Sequence, residues 1–412
     1  MTTECYEDDG GACFEERIRN GFSSMGFCLE LVRSDPFDVL GVPVYRTEFT
    51  DNANLKKNRG MRFWGKGLQS SRSRKGAFAE AVERFCAYEH ANVTKVRASR
   101  NELGEAALEP KVFLSTTPEL LPADRRPRYH PDTRIDWIEG RNYRTGALVY
   151  VPAAFVFLYP PGKDGLTSAT TSGLAAHKSE ADAILHALCE IVERDATMIL
   201  MRNRLVCNYI KPTEAIRLIV ENLLAKGVRV ILRNITTDIA IPSVVALCLD
   251  EEGRFPAYTY GFGVHPDPEV ACIRAITEAA QSRVVEIYHW RTFGIQQFES
   301  GQLRSIFNHL LAPAPVRTLP ASLHTSDNDV VQMIEVCLSA IHRALPETDL
   351  YVVQLSRSEF SVPTVRVLVP GLVPPQASYP LVVPRLLSVP HKLGLVSRDK
   401  SPNELWSGTW PH

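Results

Sequence analysis

Apolar residues recur along the chain with two periods, near 3.6 and near 2, and the switches between them mark out elements. Residues 14–27 (FEERIRNGFSSMGF) carry the helical period and 41–49 (GVPVYRTEF) alternate as a strand. They predict a lead-in helix and strand within 1–58, ahead of a domain spanning 59–412. Helical spacing runs from Gly76 to about His90, and the Pro-rich stretch after it reads as a long crossing loop. Residues 147–159 read as a strand, 160–173 as an exposed loop and 180–204 as a long helix. Three strands follow at 228–235, 243–250 and 257–264, then a helix over 268–290, strands at 351–358 and 364–372, and a Pro-rich stretch from Pro374. Runs of strands between helices predict an α+β fold, not a regular βαβ alternation.

Three of these helices carry acids where a core helix should be apolar. Asp182, His186, Glu190, Glu193 and Thr197 are spaced 4, 4, 3 and 4, one continuous stripe on a helix whose other positions are apolar. A solvated face is one reading. A binding face is the other, because the stripe is narrow and nearly all acidic, without the Lys partners that usually support an exposed face. Glu80 and Glu83 repeat the pattern, with Arg84 beside them. The helix over 268–290 adds Arg274, Glu278 and Gln281, followed by Arg283. If the stripes converge, so many carboxylates cannot all stay ionised without cations. Oxygen-only ligands then favour Mg²⁺ together with phosphate oxygens and water, and put the arginines on the phosphates. A di-iron bundle would need Glu-x-x-His, whereas Glu-x-x-Glu stands here both times. His186 reads as a hydrogen-bonding member of its stripe.

GMRFWGKG (60–67) has the glycine and lysine spacing of a phosphate-binding P-loop, but Gly67 stands where a Ser or Thr should bind Mg²⁺. Lys66 is left with two readings, a phosphate contact or a turn lysine. Lys and Arg number 46 against 47 Asp and Glu, a net charge of -1 that gives no general attraction to nucleic acid or an acidic membrane. Nine cysteines stand singly without a C-x-x-C, which fits a reducing cytoplasm. No run approaches the ~20 apolar residues of a membrane span.

GKG, GAFAEAVER, SGLAAHKSEADAILHALCEIVERDA, YGFGVHPDPEVACIRAITEAAQSR and VRVLVPGL, in that order from about Gly65 to Leu372, resemble the signature blocks of the YcaO superfamily. The resemblance implies an ATP-binding α+β fold with mixed and antiparallel sheets. It also implies ATP-driven activation of a peptide or protein amide, giving azolines, thioamides or amidines. By motif position it assigns Glu80, Glu83, Glu190 and Glu193 to Mg²⁺ and the ATP phosphates. Lys66, Arg194, Arg283, Gln281 and Asp182 join the nucleotide site, Asp182 standing where relatives usually have Glu. Gly76 replaces a usual Ser, and Ser172 and Lys178 stand where Asn is common.

Azoline-forming relatives end in a Pro-x-Pro-x-Pro tail, whereas this chain ends SPNELWSGTWPH. That difference favours thioamidation with a TfuA-like partner. Azoline formation with an E1-like partner is the close alternative, and an accessory role in modifying a translation component is a third reading. A homodimer is compatible with the resemblance. No residue is assigned as the catalytic acid or base.

Overall fold

α1 (Phe14–Ser24) buries Phe14, Ile18 and Phe22, an i, i+4, i+8 stripe that starts the first core. β1 (Cys28–Arg33), β2 (Val44–Thr50) and β3 (Arg62–Lys66) follow as an antiparallel sheet in the order β1-β2-β3. The boundary drawn at 58/59 therefore runs through a sheet, since β3 pairs with a strand of the lead-in. The computed structural model describes residues 14–50, 61–113, 129–158, 166, 170–294, 307–323, 329–373 and 383–406.

α2 (Ser70–Cys86) lies across β3, and Gly65 makes the close approach feasible. A Cβ at Gly65 would sit 1.9 Å from the Ser73 carbonyl oxygen and 2.3 Å from the Ala77 nitrogen. The Ser73 hydroxyl bridges the end of the sheet, accepting from the Tyr45 N–H (3.1 Å) and donating to the Gly65 carbonyl (2.7 Å). The helix thus starts before the expected Gly76: the polar run SSRSRK forms its first turns, and Gly76 lies mid-helix above Gly65.

β4 (Lys95–Ala98), α3 (Arg100–Leu103), β5 (Ile135–Asn142), β6 (Leu148–Pro152) and β7 (Leu174–Ala176) come next. The strand expected over 147–159 stops at Pro152 and turns into a 3-10 segment, Ala153–Phe155. Most of the expected loop 160–173 lies outside the described residues. α4 (Glu180–Asn203) is capped by the Ser179 hydroxyl, which accepts from the Asp182 N–H (3.1 Å). β8 (Tyr209–Ile210), α5 (Glu214–Leu224), β9 (Val228–Asn234), β10 (Ser243–Asp250), β11 (Tyr258–Val264) and α6 (Pro268–Phe293) continue the chain. β12 (Val316–Arg317), α7 (Val330–Ala344), β13 (Tyr351–Gln354), β14 (Thr364–Leu368) and α8 (Pro384–Lys392) complete it.

The second sheet has the order β4-β5-β13-β14-β7 with β6 on β5, and the third has the order β11-β10-β9-β8-β12. α6 lies on β11 as α2 lies on β3: a Cβ at Gly261 or Gly263 would come within 2.2 Å of the helix backbone. α4 joins the halves. Its first turns pack with α7, β13 and β14, and its last turns with β10 and α8. Among the described residues no helix is long and apolar enough to cross a membrane.

Candidate nucleotide and metal site

The acids of α2 and α4 meet in one recess. The Trp64 N–H, on the open edge of β3, donates to Glu80 Oε2 (2.6 Å), while Arg84 reaches Glu80 Oε1 at 3.4 Å. On α4 the Gly173 N–H donates to Glu190 Oε2 (3.0 Å), and Arg194 reaches Glu190 Oε1 at 3.4 Å. Backbone donors therefore orient one carboxylate of each Glu-x-x-Glu pair. The second member of each pair feels the crowding. Burial, followed by Glu190 and Glu80, drives the Glu83 carboxyl well above its ordinary range against Arg84 and Arg366. Burial, followed by Glu278 and Glu190, pushes Glu193 up to about 8 against Arg194 and Lys66. Glu80 is also raised by burial, with Arg84 and the Trp64 N–H resisting.

Basic groups lie beside these acids and beyond them toward the start of α4. Lys66, the last residue of β3, pairs with Glu278 of α6 and also lies in the field of Glu193 and His186. The turn lysine reading of Lys66 gives way to a strand-end lysine aimed into the recess. Burial, with Arg274, His177, Lys66 and His265, lowers His186 to about 3. The residue is nevertheless exposed. Both are expected of a group lining a recess walled by protein and open on one side. Burial also lowers His177, which Asp182 supports and Lys178, Arg274 and Lys75 oppose.

Asp182 lies toward the start of α4, about 16 Å along the helix axis from Glu193 at 1.5 Å per residue. It accepts from the Ser179 hydroxyl (2.5 Å) and lies 3.8 Å from His177 Nδ1 and 3.9 Å from Lys178 Nζ. Gln281 follows Glu278 by three residues on the same side of α6 and is half-buried.

Arg283 does not join the site. It lies on the sheet side of α6, where Nε meets Asp38 Oδ1 (2.7 Å), Nη2 meets Asp250 Oδ2 (2.8 Å) and Nη1 donates to the Pro256 carbonyl (2.6 Å). A step of two from Gln281 turns about 200° around the helix, so the two residues face opposite ways. Sequence reasoning also passed over Arg366 on β14. It is fully buried, donates to the carbonyls of Val156 and Ser172, and lies in the fields of Glu190 and Glu83; burial brings it down to about 10. Its signal was a lone arginine in a strand with every residue buried.

The residues fit a magnesium-bound polyphosphate. Among the described residues no three His, Cys, Asp or Glu side chains already converge on one metal point. Mg²⁺ commonly takes one or two carboxylates and completes its shell with phosphate oxygens and water, so one glutamate from each helix would suffice. The Nε atoms of Arg84 and Arg194 are buried without a hydrogen-bond partner, so neither guanidinium is saturated by the protein.

Known proteins resemble this chain over most of its length. A family model described as YcaO cyclodehydratase, ATP- and Mg²⁺-binding, matches residues 64–373. An uncharacterized protein of Methanothermobacter thermautotrophicus is 32% identical over 323 residues, covering 75% of this chain and 80% of its own. A Rhizobium leguminosarum bv. trifolii protein, described as lying in the tfuA 3′ region, is 31% identical over 269 residues. That match covers 61% of this chain and 60% of the relative. Two solved structures share the fold. A heterocyclase in complex with substrate and cofactor has a TM-score of 0.79 at 21% identity, over 100% of this chain and 59% of that one. The YcaO protein of Methanopyrus kandleri, bound with AMPPCP and Mg²⁺, has a TM-score of 0.67 at 24% identity, over 90% of this chain and 95% of that one. With its α+β fold, and ATP and Mg²⁺ as its cofactors, the chain belongs to the YcaO family.

Proposed function

We propose that this chain activates a backbone amide of a peptide or protein with ATP and Mg²⁺, and that its favoured product is a thioamide made with a TfuA-like partner. The observation that carries the activation step is the gathering of Glu80, Glu83, Glu190 and Glu193 from two helices in reach of Lys66, Arg84 and Arg194. When bound, Mg-ATP supplies the phosphoryl group that converts an amide oxygen, a poor leaving group, into one that departs as phosphate.

The chain's own residues bind and orient. Glu80 and Glu190 are held by backbone N–H groups, so they would hold a metal with little freedom to lose. Glu83 and Glu193, raised first by burial and then by neighbouring carboxylates, would hold their negative charge more readily beside a cation. Arg84 and Arg194 have unused Nε donors for phosphate oxygens. Lys66, held by Glu278, and Gln281 border the same space and take the remaining phosphate contacts.

The neighbourhood of the Rhizobium relative, in the tfuA 3′ region, supports thioamide formation. A second reading is azoline formation with an E1-like partner, supported by the likeness to a heterocyclase. A reconstituted reaction separates them. With the cognate peptide, ATP, Mg²⁺, a TfuA-like partner and sulfide, the thioamide gains about 16 Da as sulfur replaces the activated oxygen. A product lighter by about 18 Da and formed without sulfide would identify a cyclodehydratase and keep the amide-activation step. Modification without ATP consumption would overturn both, and an accessory role in modifying a translation component would then be the reading to pursue.

A further inference from the structure

Directly after Arg194 comes Asp195, fully buried and about 200° around α4 from Glu193. Behind the acidic stripe it accepts three charge-strengthened or backbone hydrogen bonds: Arg385 Nε to Oδ1 (2.8 Å), Arg385 Nη2 to Oδ2 (2.7 Å) and the Val373 N–H to Oδ1 (2.9 Å). Arg385, in the first turn of α8, also reaches Asp238 between β9 and β10 (2.7 Å). Further along α4 the contacts continue. Asn203 Nδ2 donates to the Leu386 carbonyl (2.9 Å), Lys400 Nζ to the Asn203 carbonyl (3.2 Å) and the Trp406 N–H to the Arg202 carbonyl (2.8 Å). Residues 384–406 thus form a strap along the C-terminal half of α4, fixed at its leading end by the Asp195–Arg385 pair.

The front of the same helix turn is unlike its back. Glu190 has the Gly173 N–H and Arg194, Arg194 keeps an unpartnered Nε, and Glu190 and Glu83 repel each other across α4 and α2. Holding carboxylates in register against that repulsion needs a rigid support from behind. We infer that Arg385 is a positioning residue for the metal–nucleotide end of the recess. Through Asp195 it fixes the rotation and height of the α4 turn bearing Glu190, Glu193 and Arg194. Through Val373 the same carboxylate ties that turn to the chain leaving β14, which carries Arg366.

This inference rests on the recess being the Mg-nucleotide site, and its test separates the two. Affinity for Mg²⁺ with a non-hydrolysable ATP analogue is measured by calorimetry on the full chain, at a temperature where circular dichroism shows each variant fully folded. Arg385→Met alone strands a buried carboxylate and endangers folding, so Arg385→Met is combined with Asp195→Asn, since replacing both partners of a buried pair spares stability. The double variant is expected to bind at least about tenfold more weakly, the usual effect of losing a supporting partner, and Arg385→Lys, which keeps the charge but not the fork, to fall between it and wild type. Wild-type affinity in the folded double variant overturns the inference and leaves the reading of the recess intact. A wild-type chain that binds no Mg-nucleotide overturns both.

Discussion

Arg194 on α4 and Arg283 on α6 look alike in sequence, each an arginine beside a polar stripe on an otherwise apolar helix. In the folded chain they have opposite fates. Arg283 has its side chain 2% exposed and is saturated by two carboxylates and a carbonyl within 2.6–2.8 Å. Arg194 is 27% exposed, with a single 3.4 Å contact to Glu190 and a buried Nε that bonds nothing. Every nitrogen of Arg283 is matched, though Asp38 Oδ2 stays buried without a donor, whereas Arg194 faces the charge of Glu190, Glu193 and Glu278 with one contact between described residues. A saturated cluster has nothing left to offer a ligand and contributes to stability. An unsaturated one is held together by the rest of the fold and is available for binding.

The largest effect expected from this difference falls on stability at the saturated cluster. Arg283→Met leaves Asp38 without its cation in the interior, while Asp250 keeps Arg254 (3.0 Å), and breaking a buried pair in this way costs about 3–5 kcal/mol. Denaturant melts should show that loss in the absence of any nucleotide. A stability within ~0.5 kcal/mol of wild type, the usual range for a surface change, would place Arg283 with the ligand-binding residues after all.

Glu193→Gln should do the reverse. It removes a charge from a crowded row, so the melting temperature of the ligand-free protein is expected to hold level or rise while Mg-nucleotide binding is lost. Calorimetric titration beside a thermal melt reads both quantities. A large fall in melting temperature with binding retained would make Glu193 a structural ion-pair member like those around Arg283.

How far sequence reaches follows the same line. α4 and the strands β9, β10 and β11 stood out because their periodicity is local, and their observed ends lie within a residue or so of expectation. The Glu-x-x-Glu pairs were legible because helical spacing alone stacks them. The fate of Arg283 was not, since its partners lie 245 and 33 residues away. Arg366 was hidden for the same reason: its significance depends on Glu83 and Glu190 arriving from two other elements. α8 escaped because its prolines read as breakers, yet Pro384 occupies the first helical turn, where a missing N–H does no harm. β3 was obscured by the glycines of GMRFWGKG, and Gly65 proves to serve helix contact, not phosphate wrapping.

The smallest expected effect, and the one that addresses the acidic recess directly, is a drift of stability with pH. Glu193 is pushed up to about 8, and Glu80 and Glu83 are raised with it, all by burial before any other cause. A carboxyl raised on folding keeps its proton in the folded state where the unfolded chain has released it. Between the ordinary carboxylate range and pH 8 the folded protein therefore binds more protons, and the free energy of unfolding must fall as pH rises. The ligand-free chain should be more stable near pH 5.5 than near pH 8, a window of about 2.5 units just below the raised Glu193 value. Saturating Mg²⁺ with nucleotide should flatten the slope, because cations favour the ionised form and the protons leave on binding. Glu193→Gln should flatten part of it without any ligand. Denaturant midpoints across that window, with and without Mg-nucleotide, provide the measurement. A ligand-free stability that is level or climbs toward pH 8 would mean that the carboxylates are already matched by donors, and the contrast between the two arginine clusters would disappear.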